Sequence, residues 1–182
     1  MSSMRPIGKV YAIPPQPPVP ENTRYLAAGA IRIGVEYRDL DPESLVETYK
    51  DNPEQLKAML DASPEGGFTD EGVSIHVCGA EDGWEYLRFD LFDDEPHYHY
   101  IHRGDAIVNQ VIDFDTRAHG DMLPWAMDRI RTRLAEMLPQ ANGADLVPKL
   151  DQAAINRTVD EVEALAREAR DKSRAMRAAT AK

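Results

Sequence analysis

Two histidines separated by one residue, His97 and His99, are the side chains in this sequence best suited to carry chemistry. Because side chains alternate across a β-strand, both imidazoles would lie on one face, with Cα atoms about 7 Å apart. Such a pair can give a metal ion two nitrogen ligands, and a third ligand is expected from Asp90 or His76. We therefore predict a candidate site for a divalent metal such as zinc at these four residues. Alternatively, Asp90 orients one of the histidines without binding the metal itself.

The same face also predicts a surface that binds a protein partner or another copy of the chain. Protein interfaces are enriched in tyrosine, tryptophan and arginine, and several of these residues fall on this face. Asn109 joins them if the loop before it contains an odd number of residues. The candidate partner-binding face consists of Tyr86, Arg88, Asp90, Phe92 and Asn109. The sequence alone does not distinguish a metal site from a partner-binding surface.

Cys78, the only cysteine, is expected on this face as well. Arg88 could stabilise its thiolate, although a single cysteine is more often a small buried hydrophobic residue. One thiol cannot form an internal disulfide. The sequence contains no His-Glu-x-x-His, no glycine-rich phosphate loop and no Gly-x-Ser-x-Gly. No motif therefore identifies an enzyme class.

Four segments of alternating polarity in the middle of the chain predict the sheet that carries these residues. Short polar loops separate the segments, which indicates antiparallel hairpins. A further strand is predicted N-terminal to them at 31–37, where apolar residues occupy every second position. The four predicted central strands are approximately 72–78, 84–92, 97–102 and 106–114.

Strict alternation along these strands predicts which side chains share a face. Hairpins that pair Cys78 with Trp84 and Phe92 with His97 would place Asp90 beside His99. The opposite face is apolar and has to be covered by helices. We expect it to contain Val73, Ile75, Val77, Leu87, Phe89, Leu91, Tyr98, Tyr100, Val108 and Ile112.

Helix-start signals and helical spacing predict four amphipathic helices. Asp41-Pro42 and Asn52-Pro53 each combine an N-cap residue with proline at the first helical position. The fold class is therefore α+β: an antiparallel four-stranded meander plus an N-terminal strand, covered by amphipathic helices on one face. The predicted helices cover about 42–50, 53–61, 121–138 and 148 to the C-terminus.

Composition divides the chain into three parts. Residues 1–23 form an extended arm, because five of the seven residues in 14–20 are proline, which favours polyproline II. The arm is either a stiff linker or a strap that docks on a partner. Residues 24–147 form the α+β core. Residues 148–182 form a C-terminal helix with a seam that packs on the sheet or associates with another copy. The seam contains Ile155, Val159, Val162, Ala166, Ala169, Ser173 and Met176.

Charge and hydropathy exclude several classes of function. The net charge of −11 repels phosphate backbones, so we expect no nucleic-acid binding. No apolar run approaches the roughly 18 residues that span a bilayer, and residues 1–9 lack the apolar region of a secretory signal, so we expect a cytoplasmic protein without membrane contact. The sequence favours a small binding or assembly subunit that contacts its partner through the aromatic and histidine-bearing face. The alternative is a small metal-dependent enzyme or metal-binding module.

Overall fold

A computed structural model describes residues 7–181 and shows an α+β fold around one antiparallel sheet. Its strands are β1 (Lys9–Tyr11), β2 (Thr23–Ala28), β3 (Ile31–Leu40), β4 (Asp70–Gly79), β5 (Glu85–Phe92), β6 (His97–Ile101) and β7 (Asn109–Asp113). Strands β2 to β7 follow one another as a continuous meander, and β1 pairs with β7. The two strands nearest the N-terminus therefore lie at opposite edges of the sheet.

The α+β class is confirmed, but the prediction of four strands plus one is wrong because the sheet has seven. Strand β2 was missed; it pairs with β3 through a tight turn at Gly29, whose φ of 68° is readily adopted only by glycine. Strand β1 was missed because it is short and precedes the proline-rich segment. It lies at an edge, where a strand needs a partner on one side only. Residues 1–6 of the predicted arm lie outside the described residues.

Three of the four predicted helices begin at the expected capping residues, Asp41, Asn52 and Asp121. The helices are α1 (Pro42–Thr48), α2 (Pro53–Ala62), α3 (Thr116–His119), α4 (Met122–Thr132), α5 (Leu134–Gln140) and α6 (Gln152–Thr180). Asp41 and Ser44 form a capping box on α1, and the Asn52 side chain caps α2. The single helix predicted over 121–138 is interrupted at Arg133, whose φ of −129° is not helical. The last helix begins after Asp151, not at Pro148, which lies in a 3-10 turn.

A hydrophobic core joins one face of the sheet to α4, α5 and α6. Helix α6 contacts β2, β3 and β4, and α4 contacts β5. The first four residues of the predicted seam, from Ile155 to Ala166, are buried in this core, whereas Met176 is exposed. Within residues 7–181, no helix has the length and apolar character needed to cross a membrane.

A β-bulge changes the predicted register between β4 and β5. Val77 lies opposite Leu87, but Cys78 lies opposite Glu85, so Tyr86 is an extra residue in β5. Strict alternation would place Tyr86 on the face of Arg88. Instead it belongs to the core cluster on the other side of the sheet. The bulge brings Glu85 onto the polar face in its place.

The β5–β6 hairpin is shifted by two residues from the predicted register. Asp90 lies opposite His97, and Arg88 lies opposite His99. A two-residue shift keeps every side chain on its predicted face, because the period of a strand is two. The longer loop is held by the buried carboxylate of Asp70, which accepts hydrogen bonds from the backbone N–H groups of Asp94 (3.1 Å) and Glu95 (2.8 Å).

Candidate functional site

A cavity of about 480 Å³ lies between the polar face of the sheet and a cover made by the arm (residues 12–19), α1 and α2. The floor is rich in charged and hydrogen-bonding groups, and the walls are mainly apolar. Floor residues are Arg38, Arg88, Asp90, His97, His99 and Asn109; wall residues include Ile13, Leu40, Leu45, Met59, Phe68 and Phe92. A mostly apolar pocket with a few converging polar groups is typical of a small-molecule site.

Three of the predicted metal ligands meet on this floor. The Nε2 atoms of His97 and His99 lie 3.2 and 3.1 Å from the same carboxylate oxygen, Oδ2 of Asp90. The three potential ligand atoms lie within 4.8 Å of one another. Asp90 and His99 are buried, and His97 is partly buried. We refer to these three residues as the His–Asp cluster.

The outer nitrogen of each histidine in this cluster is held by an oxygen atom. The Nδ1 atom of His97 lies 2.6 Å from the backbone carbonyl oxygen of Glu95, and that of His99 lies 2.8 Å from Oδ1 of Asn109. Because a carbonyl oxygen only accepts hydrogen bonds, His97 must donate from Nδ1. These contacts direct the Nε2 atoms towards Asp90. The hydroxyl of Ser74 donates to the other carboxylate oxygen of Asp90.

The local charges give the three groups different protonation behaviour. Burial alone would raise the pKa of Asp90, but hydrogen bonds with His97 and His99 hold it well below its usual range. Burial opposes the charged form of His97, but the Asp90 carboxylate outweighs it and raises the pKa of His97. For His99 burial dominates and lowers the pKa. The cluster therefore favours protonation of His97 over protonation of His99 in the absence of a metal.

His76, the fourth predicted ligand, belongs to a separate buried cluster. Its Nδ1 lies 2.5 Å from Oε1 of Glu85, and its Nε2 lies 3.1 Å from Oε2 of Glu36. Both nitrogens face carboxylate acceptors, so the ring is satisfied only as an imidazolium that donates twice. Burial lowers the pKa of His76, but the charge of Glu85 and the hydrogen bonds with both carboxylates more than compensate and raise it.

Two buried arginines on the polar face hold the arm. Arg88 donates from Nη1 to the backbone carbonyl oxygen of Gln16 at 2.8 Å. Arg38 donates to the same oxygen from Nη1 and Nη2 at 3.2 and 3.3 Å, and Nη2 also lies 3.3 Å from the carbonyl oxygen of Pro17. The proline-rich segment is therefore fixed across the face on which the histidines lie.

The remaining predicted site residues fall into three groups. Asn109 and Phe92 lie on the cavity face, and the Phe92 ring contacts His97 with 5.6 Å between ring centroids. Tyr86 lies away from it, and its hydroxyl donates to Asp82 at 2.6 Å. Cys78 is buried, and that burial raises the pKa of its thiol to about 12, so the thiol is protonated at neutral pH.

Sequence reasoning did not identify several residues that shape this site. Glu36 and Arg38 alternate with the apolar residues of β3, so pairing of β3 with β4 would have indicated their face. Glu85 was missed because nothing local distinguishes a bulge at Tyr86. Gln16 was missed because its contribution is a backbone carbonyl, which leaves no signature in side-chain type.

The comparisons with known proteins assign the chain to a family but not to a function. A family model described as "Domain of unknown function (DUF7700)" matches residues 25–166, which is more than half of the chain. The chain belongs to this family. The matched region contains the whole His–Asp cluster and ends within α6. No curated protein and no solved structure matches the chain.

Proposed function

We propose that this member of the DUF7700 family is a metal-dependent enzyme that acts on a small molecule in the cavity. A divalent transition-metal ion would bind Asp90, His97 and His99. The observation that carries the proposal is the convergence of two imidazole nitrogens and one carboxylate oxygen at one place on the cavity floor. Imidazole and carboxylate ligands suit zinc and several neighbouring metals.

The distances within the His–Asp cluster support this proposal. Metal–ligand bonds of about 2.0–2.1 Å in a tetrahedral zinc site place neighbouring ligand atoms about 3.3 Å apart. The two Nε2 atoms lie 3.2 and 3.1 Å from Oδ2 of Asp90. Two of the three separations between ligand atoms are therefore already close to those of a zinc site, and the third is at most 4.8 Å.

The groups around the cluster also suit a metal site. Histidines that bind a metal usually donate their second N–H group to a carbonyl or carboxylate, which fixes the ring and its tautomer. The carbonyl of Glu95 has this position for His97, and the side chain of Asn109 has it for His99. Ser74 holds the second oxygen of Asp90 and so limits rotation of the carboxylate.

Three protein ligands would leave at least one coordination position for water or substrate. A bound ion would supply Lewis-acid activation of water or of a substrate oxygen. The chain itself supplies a floor that positions polar groups and apolar walls that exclude water from the substrate. Phe92 contacts His97 directly, so a wall residue also limits the movement of one ligand.

The competing explanation of the cluster is an ion pair that needs no metal. In that state, an imidazolium at His97 donates to Glu95 and Asp90, and a neutral His99 donates to Asp90 or Asn109. In the metal-free state the single N–H of a neutral His99 can satisfy only one of these two oxygens, whereas a metal at Nε2 would leave Nδ1 to donate to Asn109. The two states differ in metal content and in what happens when zinc is added.

The test is elemental analysis of the full-length protein, followed by zinc titration of the metal-free protein with thermal unfolding as the readout. We expect one equivalent of bound metal and a higher melting temperature, because only the folded chain aligns the three ligands. Cobalt(II) in place of zinc should give visible absorption bands. Replacing His97 and His99 together with glutamine should abolish these effects.

His119→Gln is the matched control, because His119 is exposed on α3 and outside the cluster. This variant should bind zinc like the parent protein. A parent protein that contains no metal, and whose melting temperature zinc does not change, would contradict the proposal and favour the ion pair.

The accessory-subunit function predicted from the sequence would use the same face differently. Arg88, Asp90 and Phe92 are buried within this chain, beneath the arm and the first two helices. A protein partner could contact them only after that cover moved away. Since a cavity of about 480 Å³ suits a small molecule without displacement of the first two helices, we favour the enzyme. A metal-free protein that captures a second protein through this face would favour the subunit.

A further inference from the structure

One backbone oxygen of the arm receives an unusual number of charged donors. Three N–H groups from two buried guanidinium ions, Arg38 and Arg88, converge on the carbonyl oxygen of Gln16 at 2.8 to 3.3 Å. Hydrogen bonds from a guanidinium ion are strongest when the acceptor is an anion. The two arginines would therefore form stronger hydrogen bonds with an anion than with this neutral carbonyl.

The charges around the two arginines do not balance. The cations are Arg38, Arg88 and the imidazolium of His76, which donates to carboxylates from both nitrogens. The carboxylates whose charges act on them are Glu36, Glu85 and Asp90, and Asp90 is shared with His97 and His99. With Asp90 engaged by the two histidines, Glu36 and Glu85 are the carboxylates left for three positive groups in a buried region, where an unpaired charge is costly. One further negative charge would complete the set.

A buried hydroxyl near the arginines also lacks a partner. Tyr49 is 8% exposed, and its hydroxyl has no hydrogen-bond partner among residues 7–181. It lies close enough to Arg88 and Arg38 for their charges to oppose the rise in its pKa that burial causes. An unsatisfied buried hydroxyl indicates a missing water or ligand atom.

We infer that Arg38 and Arg88 form a subsite for the carboxylate group of a small organic acid. The Gln16 carbonyl occupies the position of that carboxylate until the acid binds. The inference rests on the proposed function and names its substrate class. A carboxylate fits better than a doubly charged phosphate because one negative charge is missing. Its planar oxygens also match the guanidinium fork.

The location of the subsite relates it to the His–Asp cluster. Arg88 lies directly opposite His99 in the β5–β6 register, and both side chains line the same cavity. An acid held at the arginines would extend its remaining atoms towards the cluster or along the apolar walls. Leu45, Met59 and Phe68 on those walls suit an apolar body. The substrate class is therefore a small carboxylic acid with an apolar portion.

The experiment compares carboxylates with their uncharged amides on the full-length, metal-free protein. Acetate, benzoate and octanoate are titrated by calorimetry, each beside its primary amide. We expect at least one acid to bind about tenfold or more tightly than its amide, because the amide lacks the charge that the arginines require. If no acid in the set binds more tightly than its amide, the inference is wrong.

Variants test whether the preference for the acid arises at this subsite. Arg38→Gln should remove the difference between acid and amide, and Arg38→Lys should restore part of it by keeping the charge. Tyr49→Phe should lower the affinity for the acid more than the affinity for the amide. Circular dichroism verifies that each variant folds; if Arg38→Gln does not, Arg38→Lys and Tyr49→Phe decide. Unchanged selectivity in the folded variants would overturn the inference.

A second readout reports on the arm itself. When the acid replaces the Gln16 carbonyl, the arm loses its contacts with both arginines, so the backbone N–H of Val19, which donates to Glu36, should exchange with solvent more rapidly. The amide should not increase the exchange rate. An exchange rate that the acid leaves unchanged would contradict replacement of the carbonyl.

Zinc binding separates failure of this inference from failure of the proposed function. The His97→Gln/His99→Gln variant should lose zinc but keep the preference for the acid. Arg38→Gln should keep zinc and lose that preference. A protein that binds zinc but shows no preference for the acid retains the proposed metal site and loses only the carboxylate subsite.

Discussion

Glu85 and Arg88 form a two-bond ion pair on the polar face of the sheet, with Nε–Oε1 and Nη2–Oε2 distances of 2.7 Å. The pair uses one edge of the guanidinium ion and leaves Nη1 to reach the arm. Glu85 also lies 2.5 Å from His76, so one carboxylate faces two buried cations. This arrangement makes Glu85 the centre of the charged network beneath the cavity.

Replacing Glu85 with glutamine should therefore destabilise the protein. The change leaves Arg88 and His76 with an uncompensated buried charge, and removal of one member of a buried pair typically costs about 3–5 kcal/mol. Urea unfolding at pH 7 measures the free energy. Glu163→Gln, which breaks the exposed pair with Arg167, is the matched control and should cost less than about 1 kcal/mol. Equal losses in both variants would contradict this role of Glu85.

His76 should make stability depend on pH. Its pKa is raised in the folded protein, so the stability it contributes is fully present below the unfolded value of about 6.5 and is lost as pH rises through the folded value. The groups that face it are Glu36, Glu85 and Arg88. The difference in unfolding free energy between the parent and His76→Gln should shrink as pH increases above about 6.5. A difference that stays constant from pH 6 to 9 would show that His76 does not titrate in this way.

The apolar face of the sheet should carry much of the stability. Phe89 is completely buried and packs against Tyr98 and Trp125. Phe89→Ala or Leu87→Ala should cost about 2–5 kcal/mol through lost contacts and a cavity. Val46→Ala, at a position 47% exposed on α1, should change the free energy by about 0.5 kcal/mol or less. A Phe89→Ala protein that melts like the parent would contradict this assignment of the core.

The seam of α6 gives a prediction about assembly. Val159 is fully buried in the core of the same chain, so Val159→Asp places an unpaired charge inside the monomer. We expect loss of folded structure by circular dichroism. The sequence alone allowed a different result, a folded protein of smaller mass in light scattering. That outcome would show that the seam lies between copies of the chain.

Asp70 should influence zinc binding without contacting the metal. Its carboxylate holds the backbone of Asp94 and Glu95, and the carbonyl of Glu95 accepts from His97. Asp70→Ala should lower zinc affinity about 10- to 100-fold, as other losses of ligand orientation do. Asp105→Asn, in the exposed β6–β7 loop, should leave zinc affinity unchanged. Normal affinity in the Asp70 variant would mean that the loop does not position His97.

Residue type and spacing were sufficient to predict the chemistry-bearing face, because alternation is a local property of a strand. His97, His99 and Asp90 share that face, and the error of two residues in the hairpin register did not change it. The Asp41 and Asn52 caps were equally local, and both are present. These features need no knowledge of distant segments.

The features that the sequence did not reveal depend on distant contacts or on one inserted residue. The bulge at Tyr86 exchanges a tyrosine for a glutamate on the polar face, and no nearby residue signals it. Contact between Arg88 and Gln16 joins positions 72 residues apart through a backbone atom. Such contacts can be inferred only when the strand order is known.

The strand order also sets a minimum length for the connection between β1 and β2. Strand β1 ends at Tyr11 on one edge of the sheet, and β2 begins at Thr23 on the opposite edge. The chain between them therefore crosses six strand intervals of about 4.8 Å each, or about 29 Å. Twelve residue steps in polyproline II reach about 37 Å, and nine reach only about 28 Å. An insertion here could be accommodated as slack above the cavity. A deletion of three residues would remove this slack, and the connection could then reach only as a nearly fully extended chain.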